Sequence, residues 1–347
     1  MFNIDNFLHK GVLPGSKKWD GFPAFNFVGG HNDEELVPIK DLENAARKVI
    51  LENGKILGKY NYTGPLGYLP LRKFVTKKLK QGAKMDCSDD EVLIVSGSLQ
   101  ALDLVNETLL KEGDTVIIEE SSYGGVFTRL NQMKVNVKGI PVQGDGMDLS
   151  ILEETLITLK NQGIVPRYIY TIPTIQNPTG TVMSTNKRID LIELAKSFNI
   201  PIFEDDCYAD LIWGEKRPPS IRSLDNSGRV IYCGTFSKSI APGLRVGYLV
   251  ADWKILSRVL PYKTDAGSGG LEQMVLAEYC ERHFFDHLKK LNTQLEKKSL
   301  MMCESLDKYF GNTIEYKKPI GGIYIWVSFP EQVDTNFLYS KAMESGV

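Results

Sequence analysis

The chain has almost no charge imbalance, few cysteines and histidines, and no long apolar run. Its 41 lysines and arginines stand against 43 aspartates and glutamates, and the net charge of -2 offers no electrostatic pull on nucleic acid or an anionic membrane. No stretch approaches the roughly 20 apolar residues that a membrane helix needs. The opening MFNIDNFLHKG lacks the charged-then-apolar order of a secretion signal, so a cytoplasmic location is expected. Five cysteines (Cys87, Cys207, Cys233, Cys280, Cys303) are scattered with no C-x-x-C pair. Their odd number fits reduced thiols better than disulfides or a zinc site. Of four histidines, His283 and His287 are four apart on an expected helix, a spacing that can hold a metal. No third ligand accompanies them, so a helix-surface pair and no metal site are expected. There is no internal repeat and no low-complexity segment.

What is present is ordinary globular composition, 42% hydrophobic and 24% charged over 347 residues, enough for one large domain and a smaller one. Residues 1–40 are broken by Pro14, Gly15, Pro23, Gly29, Gly30 and Pro38 and read as an irregular arm that must lie against the main domain. Asp41 to Asn53 reads as a helix capped by Asp41, with Leu42, Ala45, Ala46, Val49 and Ile50 at helical spacing. After the loop YNYTGPLGYLP, a basic amphipathic helix starts at Leu71.

Strand-like runs follow at Val92–Val95, Thr115–Glu119, Val135–Pro141, Tyr168–Ile172, Ile200–Tyr208, Arg229–Cys233 and Val246–Ala251. Helical spacing falls between several of them, as over Ser184–Phe198. That alternation predicts a doubly wound, mainly parallel α/β sheet covered on both faces. A long helix from Glu272 to Tyr309 and short strands from Glu315 to Phe329, turning at Gly321-Gly322, read as a smaller α+β domain. The expected division is an arm at 1–40, a large domain at 41–270 and a small domain at 271–347.

Several strand ends carry chemistry. At Gly97-Ser98 the period changes from strand to helix, which makes a ready anion site at Ser98, Leu99 and Gln100, although packing and capping alone also use such turns. The run Glu204-Asp205-Asp206 places carboxylates at a strand's carboxyl end, where open α/β sheets bind ligands; a solvated acidic end is the plain alternative. Asn177-Pro178 is first of all turn chemistry. Lys238 stands alone in GTFSKSIAPGLRVGY, and a single loop lysine is usually a solvated charge. Here small residues fence it, two hydroxyls (Thr235, Ser237) precede it and Arg245 follows. An amine, hydroxyls and a guanidinium together suit a ligand with an aldehyde and a phosphate.

In this order, YTGPLGYLPLR, SGSLQALDL, IPTIQNPTG, IFEDDCY and GTFSKSIAPGLRVGY resemble the class I/II aminotransferases, fold-type-I pyridoxal-phosphate (PLP) enzymes. They are most like the branch with 2-aminoadipate, kynurenine and aromatic aminotransferases, and GGIYIWVSFP resembles that family's small-domain strand. The resemblance implies pyridoxal 5'-phosphate as cofactor and gives each residue a role. Lys238 would bond the cofactor aldehyde and then move the substrate proton. Asp205, the first acid of the D-D-x-Y run, would face the pyridine nitrogen in preference to Asp206. Asn177 and Tyr208 would hydrogen-bond the phenolic oxygen, and Tyr123 would stack on the ring. Arg245, Thr235, Ser237 and the Ser98, Leu99 and Gln100 amides would hold the phosphate. Tyr62 would reach the phosphate of a second subunit, which implies a homodimer with shared sites. Gly30, in Gly29-Gly30-His31, would lie near the substrate, and Lys17 and Lys18 are candidates for reading an acidic substrate side chain.

The family's pattern continues past the equivalent of Val347 with an arginine that binds the substrate α-carboxylate, whereas no arginine follows Arg282 here. An incomplete small domain is therefore expected. The leading expectation is ping-pong transfer of an amino group between an L-amino acid and a 2-oxo acid. The alternatives are a β-lyase-type PLP enzyme, a catalytically impaired PLP-binding homologue, and the sensing domain of a transcription regulator, for which residues 1–40 hold no winged-helix module.

Overall fold

The structure, a computed structural model, describes residues 2–9, 11–19, 21–27, 29–60, 64–213 and 216–347. It divides into two compact units, Met1–Gly29 with Phe329–Val347, and Gly30–Ser328.

The larger unit opens with α1 (Ile39–Asn53) and α2 (Leu69–Gly82). Asp41 is not the cap of α1: the N-cap is Pro38, without a side-chain hydrogen bond. Asp41 lies in the first turn, where its charge faces the positive end of the helix dipole. Helix α2 begins two residues ahead of Leu71, with Pro70 in the first turn, where a missing N–H costs nothing. Then come β1 (Val92–Val95), α3 (Ser98–Leu109), β2 (Thr115–Glu119), α4 (Gly124–Gln132), β3 (Asn136–Ile140), β4 (Val142–Gln143), β5 (Gly146–Met147) and α5 (Leu149–Asn161). The chain continues through β6 (Ile169–Thr171), α6 (Thr185–Ser197), β7 (Ile202–Asp205), α7 (Ile221–Leu224), β8 (Val230–Thr235), β9 (Gly247–Val250), α8 (Trp253–Val259) and α9 (Gly270–Phe310). Two short strands, β10 (Glu315–Tyr316) and β11 (Val327–Ser328), pair antiparallel at its end.

Seven strands form one sheet in the order β1-β9-β8-β7-β6-β2-β3. Strands β3, β2, β6, β7 and β8 pair in parallel, while β9 runs antiparallel to both β8 and β1. Strands β1, β2, β6, β8 and β9 are buried along their whole length, which is why they read as unbroken apolar runs rather than alternating ones. The edge strand β3 is mostly exposed and carries Lys138. Helices cover both faces. Leu102, Val105, Val126 and Leu130 pack one face, and Phe74, Leu79, Phe236 and Phe284 build the other. Because β1, β8, β7, β6 and β2 point the same way, their carboxyl ends and the loops after them share one edge. That edge carries the motifs.

The smaller unit holds a short helical turn at Ile4–Phe7 capped by Asn3, and α10 (Thr335–Glu344) capped by Asp334. Within it Phe25 N donates to Gly346 O at 3.0 Å.

Candidate active site

Lys238 lies just past β8, in a turn whose first residues are held by Thr235. The Thr235 hydroxyl donates to Ser237 Oγ at 2.9 Å and accepts from Ser237 N at 3.1 Å. Phe236, fully buried, pins the turn to the core. Lys238 Nζ donates to Gly30 O at 2.7 Å and stands 5.9 Å from the centroid of the Tyr208 ring. Burial pulls the lysine below its ordinary value, with Arg245 adding to the drop against the Cys207 thiol. Gly30 has φ +60, and a Cβ there would meet the Tyr324 hydroxyl and stand 3.1 Å from Lys238 Nζ, so this position needs glycine on both counts.

Tyr208 is buried, and its hydroxyl accepts from Asn177 Nδ2 at 3.0 Å. Burial pushes its phenol up, with Tyr324 adding to the shift. Asn177 follows β6 in the turn from Gln176 to Thr181. Asp205 closes β7 beside Cys233 of β8. Its carboxylate accepts from Tyr170 Oη at 2.6 Å and from Cys207 N at 3.3 Å. Burial raises its pKa, against the Cys207 and Tyr170 hydrogen bonds. Tyr123, half-buried ahead of α4, has its phenol raised first by burial and then by nearby charges that include Asp205. Asn177, Tyr208 and Lys238 therefore converge.

The other end of the site is built at the β1–α3 turn. Gly97 caps α3 at φ +86 without a side-chain bond, and a Cβ there would run into the Arg245 guanidinium. The glycine thus lets Arg245 sit against the helix N-terminus, and Arg245 Nη2 donates to Ser96 O at 3.3 Å. The Ser98 and Leu99 amides, in the first turn, have no intrahelical carbonyl to donate to. The Gln100 amide does not share that freedom: it donates to Gly97 O at 3.1 Å. Its side chain is engaged too, accepting from Ser96 N at 2.7 Å and donating to Asp265 at 2.7 Å.

Tyr62 lies outside the described residues, and Lys17 and Lys18 belong to the other compact unit. His287 bonds Ser239 O at 2.9 Å, and among the described residues the His283/His287 pair joins no metal-ligand cluster. One cluster does bring Asp205, Cys207 and Cys233 within 4.8 Å of one another. Its thiols are held protonated, Cys207 by its hydrogen bond to Cys233 and by burial, which suits neutral neighbours of a carboxylate rather than thiolate ligands. Sequence reading left four residues here without a role: Glu119, Tyr170, Gln176 and Tyr324. Tyr324 sits in GGIYIW and packs edge-on against Tyr208 at 5.8 Å between centroids. The place of Glu119 just ahead of the Ser121–Gly125 turn was its one signal.

The donor set suits a phosphorylated aromatic aldehyde. A first helical turn and an arginine can take a dianion, a desolvated carboxylate can face a ring cation, an amide and a phenol can grip one oxygen, and an amine can bond the aldehyde. A doubly wound sheet with this set on its carboxyl edge defines a fold-type-I transferase of the PLP class. More narrowly, residues 31–347 match the family described as aminotransferase class I and II, and the chain belongs to that family. It is similar to the multiple substrate aminotransferase of Thermococcus profundus, with a TM-score of 0.91 at 30% identity over 100% of this chain and 88% of that one. It is also similar to LysN, the α-aminoadipate aminotransferase of Thermus thermophilus, solved with N-(5'-phosphopyridoxyl)-L-leucine. There the TM-score is 0.85 at 33% identity, over 92% of this chain and 80% of that one. A third relative is YisV of Bacillus subtilis strain 168, an uncharacterized HTH-type transcriptional regulator. It is 34% identical over 92% of this chain, which spans 64% of the regulator's length.

Proposed function

We propose that this chain binds pyridoxal phosphate on the carboxyl edge of its sheet and transfers an amino group between an L-amino acid and a 2-oxo acid by a ping-pong cycle. Bound there, the cofactor supplies an aldehyde that takes the amino group and a protonated ring that draws electrons from the substrate Cα. Lys238 Nζ, its pKa lowered by burial, would hold the cofactor at its aldehyde end and would carry the substrate Cα proton as general base and acid. Asp205 would face the ring nitrogen, where its negative charge favours the protonated ring. Asn177 Nδ2 and Tyr208 Oη would hold the phenolic oxygen, and Tyr123 would pack against the ring. Arg245, Thr235, Ser237 and the first-turn amides of Ser98 and Leu99 hold the phosphate. Gly30 leaves room for the amino acid, and Tyr62 of a second subunit completes the phosphate site in a cytoplasmic homodimer. Substrates of the 2-aminoadipate, kynurenine or aromatic class suit this reading.

The observation that carries it is the convergence of Lys238 Nζ on the Tyr208 ring, whose hydroxyl already takes the Asn177 amide. The test is the visible spectrum of the protein loaded with pyridoxal phosphate, recorded before and after single amino acids are added. The cofactor band should bleach with a donor and return with a 2-oxo acid. In Lys238→Ala the covalent band should be absent and turnover should fall by at least about three orders of magnitude, the scale of losing a nucleophile that is also the base. A covalent band that survives Lys238→Ala would sink the assignment. Release of ammonia with the oxo acid would favour a lyase.

A further inference from the structure

Glu119 ends β2 as a fully buried carboxylate, and every hydrogen bond it makes is one it accepts. Thr171 Oγ1 donates to Oε1 at 2.6 Å, while Ile172 N and Gln176 Nε2 donate to Oε2 at 3.2 and 3.1 Å. Gln176 Nε2 also donates to Ser121 O at 2.6 Å. Both acceptors therefore lie on one side of the Gln176 amide, and its Oε1 is turned the other way. There it accepts from Thr179 N at 2.8 Å and Thr179 Oγ1 at 2.7 Å. The backbone closes the same turn, with Gly180 N donating to Gln176 O at 2.7 Å and Gln176 N to Thr181 O at 2.8 Å. Asn177 lies between these two anchors, its amide nitrogen 3.0 Å from Tyr208 Oη.

We infer that Glu119 is a positioning residue: by holding the Gln176 amide nitrogen, it braces the Gln176–Thr179 clamp that aims Asn177 Nδ2 at the cofactor's phenolic oxygen. The inference rests on the proposed function. An amide's nitrogen and oxygen have nearly the same shape, so the choice between its two orientations is electrostatic. Glu119 Oε2 and the Ser121 carbonyl hold the Gln176 nitrogen on their side, and the Thr179 N–H holds its oxygen on the other. With Glu119→Gln the charged acceptor becomes a neutral amide, and the Ser121 carbonyl is the unchanged acceptor left on the Gln176 nitrogen. A Gln176 nitrogen held less firmly slackens the clamp on Asn177.

A donor on the phenolic oxygen favours the less protonated form of the loaded site, so weakening it should raise the pH midpoint of the visible band. The experiment titrates that band in substrate-free, cofactor-loaded protein and measures melting in parallel. Glu119→Gln should raise the midpoint by about one pH unit, the scale of a lost hydrogen bond to a charged acceptor. Thr179→Val, which removes one of the two donors to Gln176 Oε1, should move it the same way by less. Glu204→Gln is the control. Glu204 is also fully buried, but its partners are the Ile221 and Arg222 amides, at 2.7 and 2.9 Å, and Arg188, and it makes no hydrogen bond to Gln176 or Asn177. It should lower the melting temperature and leave the midpoint in place. A midpoint unmoved in both Glu119→Gln and Thr179→Val, with melting lowered as in the control, would overturn the inference and leave the PLP reading standing. Absence of any covalent band in the unmodified protein would overturn the PLP reading and this inference with it.

Discussion

Asp205 and Asp206 are adjacent at one strand end, carry the same functional group, and have opposite surroundings. Asp205 faces the motif-bearing edge, where its partners are a tyrosine hydroxyl and a backbone amide, both neutral. Asp206 faces a closed ion network on the other side. Arg217 Nη2 is 2.5 Å from Asp206 and 3.1 Å from Tyr232 Oη. Its Nη1 reaches Asp210 at 3.5 Å, and Asp210 pairs with buried Lys78 at 2.8 Å. Burial works against the Arg217 charge, but Asp206, Tyr232 and Asp210 outweigh it and hold its pKa well above the ordinary value. A strand sends successive side chains to opposite faces, so two neighbouring carboxylates can serve two regions without meeting. The one left with neutral partners is the one free to meet a cation from outside. A buried carboxylate already matched to a guanidinium is structural.

The comparison can be broken at either residue. Asp205→Ala should cut kcat/KM by three to four orders of magnitude, about 5 kcal/mol of activation free energy, because the ring nitrogen would no longer be kept protonated. Stability should change little, since the mutation removes a desolvated charge along with its hydrogen bonds. Asp206→Asn should show the reverse. It strands Arg217 in a buried site, and breaking a buried pair costs about 3 kcal/mol or more, so chemical denaturation should shift far more than kcat. Equal kinetic damage in both variants would show that the two regions are not separable. Greater kinetic damage in Asp206→Asn would reverse the roles.

The preference for Asp205 rests on the acid run's place at a strand end and on the D-D-x-Y order, and the neutral partners of Asp205 beside the Arg217 pair of Asp206 support it. The sheet's parallel core was legible: Val92–Val95 and Thr115–Glu119 have their true bounds, are buried throughout, and carry the apolar runs VLIV and VII. The direction of β9 was not. Burial on both faces gives antiparallel and parallel strands the same pattern, and the difference lies in the connection. The link from Thr235 to Gly247 contains no crossover helix, and that was the available signal. Pairing of β9 with β1 depends on residues about 155 positions apart, Val92 beside Val250, which no local period encodes. Tyr170 and Gln176 were passed over for a similar reason. Each acts through a partner on another strand, so their spacing in sequence says nothing of the contact. Asp41 was misread as a cap because an acid near a helix start serves the first turn as well as the cap.

A smaller effect separates Glu119 from a carboxylate that merely fills space. Burial pushes its pKa up from 4.5 to about 7, against the hydrogen bonds from Thr171, Gln176 and Ile172, and with Asp205 adding to the rise. Between those values the folded chain holds a proton that the unfolded chain has released. Stability from this group is therefore full at low pH and is lost as pH rises through the window. From pH 5 to 7 the loss is about 2 kcal/mol by linkage. Glu119→Gln cannot titrate, so the difference in unfolding free energy between the unmodified protein and the variant should shrink or change sign in the variant's favour over that range. Denaturant titrations at pH 5, 6 and 7 read it directly. A constant difference would mean that Glu119 stays ionised throughout, so that its three donors outweigh burial. In that case the Gln176 clamp would hold unchanged over the whole pH range.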